Sequence, residues 1–224
     1  MAHVKRIAAP RSWPIRRKVM TYIMKQDPGP HSLSLSIPLG VLLRDMLGVV
    51  HTMREARRAL HERKIKVDSV IRTSLKFPVG LFDVISFADE QYRVFLNTRG
   101  RLFAEKIPAQ ENIKLAKIVR KTAVRGKIQC TLNDGCNILL DKSSLMVGDS
   151  VVLALPSREF KHNLPFAKES LIFLVKGSHI GEIGTIKDIS GNKIVYELPE
   201  KGVFETQKNN AFVIGKDKPV ITIK

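Results

Sequence analysis

Glycine-bearing turns cut the second half of the chain at short intervals: Asn97 to Gly100, Asp134-Gly135, Gly148-Asp149 and Gly191-Asn192. Such stretches supply the positive φ that tight hairpins need and leave little room between them for long elements. The segments they separate read as strands. "QYRVFLNTRGRLFAEKI" is expected as a hairpin turning at Asn97 to Gly100, and "KIQCTLNDGCNILL" as a second hairpin. "LMVGDSVVLAL" is expected as a strand pair around Gly148-Asp149, and "LIFLVKG" as a short buried strand. One stretch reads differently: "ENIKLAKIVRKTAVRGK", Glu111 to Lys127, is expected as a helix. It carries Lys114, Lys117, Arg120, Lys121, Arg125 and Lys127 with Glu111 as its only acid, which makes it either a second contact surface or a solvated face.

The front third has another pattern. Leu39, Leu42, Leu43, Met46, Leu47 and Val50 recur at the three-and-four spacing of one apolar helix face, with Gly48 loosening its end. The next stretch, "TMREARRALHERKIKVDSVIRT", places six Lys and Arg in its first fifteen positions. Thr52-Met53-Arg54-Glu55 is a capping box, in which hydroxyl and carboxylate satisfy first-turn amides reciprocally. At helical spacing Arg54, Arg57, Arg58 and His61 share one arc, Met53, Ala56, Ala59, Leu60 and Arg63 lie opposite, and Glu55 and Glu62 separate the two. Like charges four residues apart repel by a few tenths of a kcal/mol, so something outside the helix must offset them. This arc is therefore read as a binding face. "KIKVDSVIRT" then alternates, with Lys64 and Lys66 outward, Ile65 and Val67 inward, and Asp68-Ser69 as a turn.

Charge names the class of partner. The chain carries 38 Lys and Arg against 21 Asp and Glu, a net of +17, and residues 1–75 hold 15 of the cations with only 5 acids. So basic a chain implies a polyanion: nucleic acid, an acidic membrane surface or an acidic protein. Residues 1–36 read as a basic arm, broken by Pro10 and Pro14, that orders on a partner. Its Lys5, Arg6, Arg11, Arg16 and Arg17 surround the single Trp, Trp13, which could stack on an unpaired base or fill a pocket in a neighbouring protein.

Other classes are excluded. The longest apolar run, Ile37 to Leu43, falls far short of a membrane span. The N-terminus lacks a secretory apolar core, and Pro10 and Pro14 oppose the amphipathic helix of a mitochondrial transit peptide. A two-residue turn at Asp134-Gly135 would set Cys130 opposite Leu139 and point the thiols of Cys130 and Cys136 to opposite faces, so neither a disulfide nor a zinc site is expected in a reduced, cytoplasmic chain. No nucleotide-binding, metalloprotease or hydrolase motif is present, and the six histidines lack metal-ligand spacing. Asp134 and Asp149 sit at Gly-flanked turns, where aspartate serves the backbone. No enzyme activity, cofactor or small-molecule substrate is expected.

Residues 37–92, through "REARRALHERKIKVDS", resemble the small alpha-L RNA-binding domain of ribosomal, pseudouridine-synthase and tyrosyl-tRNA-synthetase chains. The resemblance implies RNA contact by Arg54, Arg57, Arg58, Lys64 and Lys66. "VKGSHIGEIGTIKDISGNKIVYEL", in which Gly177, Gly181 and Gly184 space out a strand–turn–strand, resembles the KOW motif, a small five-stranded barrel. It implies contacts from Lys176, Ser178, His179 and Lys187. These parts in this order, with the opening "HVKRIAAPRSWPI", resemble the archaeal and eukaryotic type of small-subunit ribosomal protein four from His3 to about Gly215.

The expected fold is α+β, mostly β in the second half. Its parts are a basic arm over 1–36, an alpha-L domain over 37–92, a central β domain over 93–172 and a KOW-type barrel with tail over 173–224. The expected function is that of a structural constituent of the small ribosomal subunit, in the cytoplasm, partnered by rRNA and neighbouring ribosomal proteins. A free-standing RNA-binding regulator or assembly chaperone, and an RNA-modifying enzyme, are the alternatives.

Overall fold

A computed structural model describes residues 3–88, 90–108, 112–140, 145–199 and 201–222. It divides into two compact units, Met1–Leu96 with Arg101–Asn112, and Asn97–Gly100 with Ile113–Lys224.

In the first unit the arm is folded on its own chain. Strands β1 (His3–Lys5) and β2 (Tyr22–Met24) pair antiparallel, and β3 (Ser36–Pro38) follows. The connection between β1 and β2 holds Trp13 at 1% exposure, its indole Nε1–H donating to the Ser36 carbonyl at 2.7 Å. The arm thus has an apolar anchor of its own, and the expectation that it orders only on a partner is corrected. After β3 come α1 (Leu39–Val41), running on as a π-helical turn (Leu42–Met46), and α2 (Met53–His61). The first helix is shorter than its apolar pattern. The Leu47 amide donates to Leu42 O, the Val49 amide to Leu43 O, and Gly48 between them takes φ +67°, closing the helix with a left-handed cap.

Strands β4 (Ile65–Val67), β5 (Val70–Ile71), β6 (Pro78–Gly80), β7 (Val84–Phe87), β8 (Glu90–Leu96) and β9 (Leu102–Ile107) complete the unit. Five of them form one antiparallel sheet in the order β5-β4-β7-β8-β9, while β6 pairs with β3. The boundary expected after residue 92 is corrected. Strand β8 crosses it, because Val94, Phe95 and Leu96 are all buried in this core while β8 pairs with β7 on one side and β9 on the other. The boundary expected after residue 36 likewise falls inside β3. A buried polar link ties the arm to the unit: His31 Nε2 meets the Asp83 carboxylate at 2.8 Å, and that carboxylate accepts from the Gly80 amide.

The second unit holds β10 (Ile113–Val124), β11 (Lys127–Leu132), β12 (Asn137–Leu140), β13 (Ser150–Ala154) and β14 (Glu159–Leu164), in the order β12-β11-β10-β13-β14. Its remaining strands are β15 (Leu171–Leu174), β16 (Ile183–Ser190), β17 (Lys193–Leu198), β18 (Gly202–Gln207) and β19 (Ala211–Gly215), in the order β18-β17-β16-β15-β19. The boundary expected after residue 172 falls inside β15. Gly191-Asn192 closes the β16–β17 hairpin as its composition predicts.

Three expectations fail in the second unit. Ile113 to Val124 is a strand, not a helix: Ile113, Ile118, Val119, Thr122 and Val124 are β-branched, and β10 finds β13 and β11 as partners along its length. Glu111, the acid of that stretch, lies outside the described residues. Met146 to Asp149 is a turn leading into β13, whose partners are β10 and β14. The β11–β12 hairpin has a three-residue loop, with the Gly135 amide donating to Leu132 O and the Leu132 amide to Cys136 O. The longer loop moves the register by one, so Cys130 pairs with Ile138 rather than Leu139. Both free thiols then turn toward one apolar cluster, with Ala116, Ile118, Leu132 and Val151.

Candidate nucleic-acid interface

The surface of α2 begins with its cap. Glu55 N donates to Thr52 Oγ1 at 3.2 Å, and the Glu55 carboxylate accepts from the His51 amide at 2.8 Å and the Thr52 amide at 3.3 Å. The His51 amide foremost holds the Glu55 carboxyl below its usual range. With the start fixed, the register follows. Ala56 and Leu60 are fully buried, while Arg54, Arg57, Arg58 and His61 stand exposed.

Acids reach part of this arc. Arg58 Nε donates to Glu62 Oε1 at 2.9 Å, and Lys64 Nζ lies 2.6 Å from Glu62 Oε2, the Lys64 bond foremost holding the Glu62 carboxyl low. Both are exposed pairs of the kind worth little in water. Arg54 and Arg57 have no carboxylate at ion-pair distance among the described residues. Arg54 and Arg58, with Thr52 and Glu55, line a depression of about 550 Å³.

The hairpin after α2 continues the surface. Asp68 and Ser69 both take positive φ, closing a tight turn that leaves Lys66 exposed while Ile65 and Val67 are buried. Lys64 also stands outward.

The arm's cations divide. Lys5, Arg11 and Arg16 are exposed. Arg6 is buried, with Nη1 donating to the Arg16 carbonyl at 2.7 Å. Arg17 donates to the carbonyls of Arg6, Ile7, Ala9 and Pro10, the closest at 2.7 Å. Together with buried Trp13, Arg6 and Arg17 hold the arm's shape; for Trp13 and Arg6, expected to face a ligand and found buried, the sequence expectation is corrected.

In the second unit Lys176 and Ser178 are exposed. His179 is half-buried, its ring 4.2 Å from that of Phe204 and its Nδ1 3.4 Å from Glu182. Lys187 lies 2.7 Å from Glu197, whose carboxylate raises its pKa. His179 and Lys187 thus already have partners within the fold. The basic run of β10 divides in the same way. Lys114 is buried, 3.4 Å from Asp134, and Lys117 Nζ donates to the carbonyls of Lys208 and Ala211 at 3.0 and 2.7 Å. These two roles follow from strand register, which the helical reading hid. Asp134 and Asp149 serve the backbone as expected, accepting from the amides of Cys136, and of Met146 and Phe166.

Among the described residues no cluster of His, Cys, Asp or Glu could hold a metal ion, and no helix is long and apolar enough to cross a membrane.

Comparison with known proteins points one way. Residues 88–160 match the model of ribosomal family S4e, and residues 2–34 match that of the RS4NT (NUC023) domain. The small ribosomal subunit protein eS4 of Methanocella arvoryzae is 40% identical over 228 residues, covering 98% of this chain and 96% of that protein. Its counterpart from Methanothermobacter thermautotrophicus is 40% identical over 231 residues, covering 99% and 95%. The crystal structure of 30S ribosomal protein S4e from Thermoplasma acidophilum superposes with a TM-score of 0.71 at 31% identity, covering 82% of this chain and 96% of that one.

Proposed function

From the premise that this chain belongs to the S4e family of ribosomal proteins, we propose that it holds rRNA with the exposed arc of α2, the neighbouring hairpin and the outward cations of the arm. The chain is a non-enzymatic structural constituent of the small ribosomal subunit, in the cytoplasm, with rRNA and other ribosomal proteins as partners. Arg54, Arg57 and Arg58 form the centre of the contact, Lys64 and Lys66 extend it, and Lys5, Arg11 and Arg16 add to it from the arm. Lys176 and Ser178 offer a lesser contact from a KOW-type loop in the second unit. The parts before and after follow the family order: alpha-L-type element first, KOW-type strands last.

One observation carries the reading. Arg54 and Arg57 stand exposed, with no carboxylate at ion-pair distance among the described residues, on a helix whose Ala56 and Leu60 are fully buried on the other side. Each phosphate that such a group neutralises releases condensed counterions, so affinity falls with salt, and phosphate contacts fix position without reading sequence. The exposed pairs at Glu62 can exchange onto phosphate at little cost.

The test is Arg54→Ala, Arg57→Ala and Arg58→Ala together, with binding to small-subunit rRNA measured across a salt series. Affinity should fall, and the slope of log K against log salt should shrink by about 2, near 0.7 per lost phosphate contact. An unchanged slope would remove α2 from the interface.

A further inference from the structure

The outer half of the β10–β11 hairpin stands clear of the buried core of its unit. Every residue from Val119 to Lys127 is exposed, so both faces of this two-stranded ribbon meet solvent. A ribbon with neither face covered gains little stability from its own pairing. Between Asn112 and Asn133 the chain has six cations and no acid. Lys114 and Lys117 are consumed inside the unit, and Lys121 Nζ donates to the Leu145 carbonyl at 2.8 Å. The register sets Arg120 opposite Thr131, Thr122 opposite Gln129 and Val124 opposite Lys127, so these side chains share the face turned away from the buried Cys130.

The tip adds an independent sign. Arg125 and Gly126 both have positive φ, +51° and +78°, as a tight two-residue turn requires. Glycine suits this geometry, and Asn or Asp tolerates it, whereas a long side chain there is strained. The hairpin keeps a cation at its most projecting point against the local backbone preference.

We propose that this ribbon is a second RNA-binding prong, separate from α2, in which Arg120 and Arg125 engage phosphates and Thr122 and Gln129 face ribose 2′-hydroxyls. Guanidinium groups suit phosphate oxygens, and hydroxyl and amide groups suit the 2′-OH that marks RNA. The acid-free charge favours RNA over a neighbouring protein. The inference rests on the rRNA-binding reading above and extends it to the second unit.

The experiment uses the full chain carrying Arg120→Gln and Arg125→Asn, titrated with protein-free small-subunit rRNA across a salt series beside the α2 triple variant. Affinity should drop by about tenfold and the salt slope by about 1.4, two contacts' worth. The thermal midpoint should not fall, because Asn accepts positive φ more readily than Arg. Footprints on the rRNA should be lost at a place different from those lost in the α2 variant. If the prong variant binds like wild type while the α2 variant is weakened, the prong is overturned and the α2 reading stands. If naked-rRNA binding is unchanged and only incorporation alongside other ribosomal proteins fails, the prong's partner is a protein and the proposal is overturned. If neither variant changes binding, the underlying reading falls as well.

Discussion

Trp13 and Lys117 look like surface residues in the sequence, the first among arginines and the second in a run of lysines, yet the fold uses both. Burial of the indole with its Nε1–H on Ser36 O makes Trp13 an anchor for the arm. Trp13→Phe leaves that carbonyl without a donor, which should cost about 1–3 kcal/mol in urea unfolding while rRNA affinity stays level. Weaker RNA binding by the folded variant would return Trp13 to the interface. Burial, with the Lys208 charge adding to it, lowers the Lys117 pKa from 10.5 to about 8. Between those values the unfolded chain binds a proton that the folded chain has released, so this lysine's contribution to stability rises with pH through that window. Unfolding free energies of wild type and Lys117→Met should therefore diverge in favour of wild type as pH climbs from about 8 to 10.5. A constant difference would place the ammonium in water.

At the scale of elements, α2 separates stability from binding. Its inner face, Ala56 and Leu60, is buried in the core of the first unit, and its cap fixes where it starts. The outer arginines do little for either. Replacing all three with Ala removes like-charge repulsion and the Arg58–Glu62 pair, each worth a few tenths of a kcal/mol, and puts in the best helix former. Circular dichroism and unfolding midpoint of the triple variant should thus match wild type while rRNA binding weakens. The contrast is what identifies the face as functional, since lost binding with lost helix would mean only misfolding. Strand β10 shows the reverse division along one element, its first part, Ile113 to Lys117, paired with β13 and largely buried, and its last third paired with β11 and projecting.

For the whole molecule the relevant quantity is the sum of many weak contacts. A net charge of +17 with over half of the excess in residues 1–75 implies strong salt dependence, while linked contacts raise avidity beyond any single one. On a sucrose gradient in about 0.5 M monovalent salt, the chain should still sediment with the small subunit in constant proportion, because several contacts must open together for release. Recovery at the top of the gradient would mean a loosely exchanging factor.

Local chemistry was enough to place the capped helix, its arginine arc, the Asp68-Ser69 and Gly191-Asn192 hairpins and the basic front third. Each depends on neighbours within a few positions, where spacing and turn residues act directly. The partners of Trp13, Arg6 and Arg17, the strand state of β10 and the inward turn of Lys114 and Lys117 were decided by tertiary structure. The Trp13 indole reaches a carbonyl 23 residues away, and Lys117 reaches one 94 residues away. Strand β10 forms because β11 and β13 arrive on either side of a β-branched segment whose spacing alone also fits a helix. Sequence thus located the charge, and long-range packing decided which charges were left free to meet RNA.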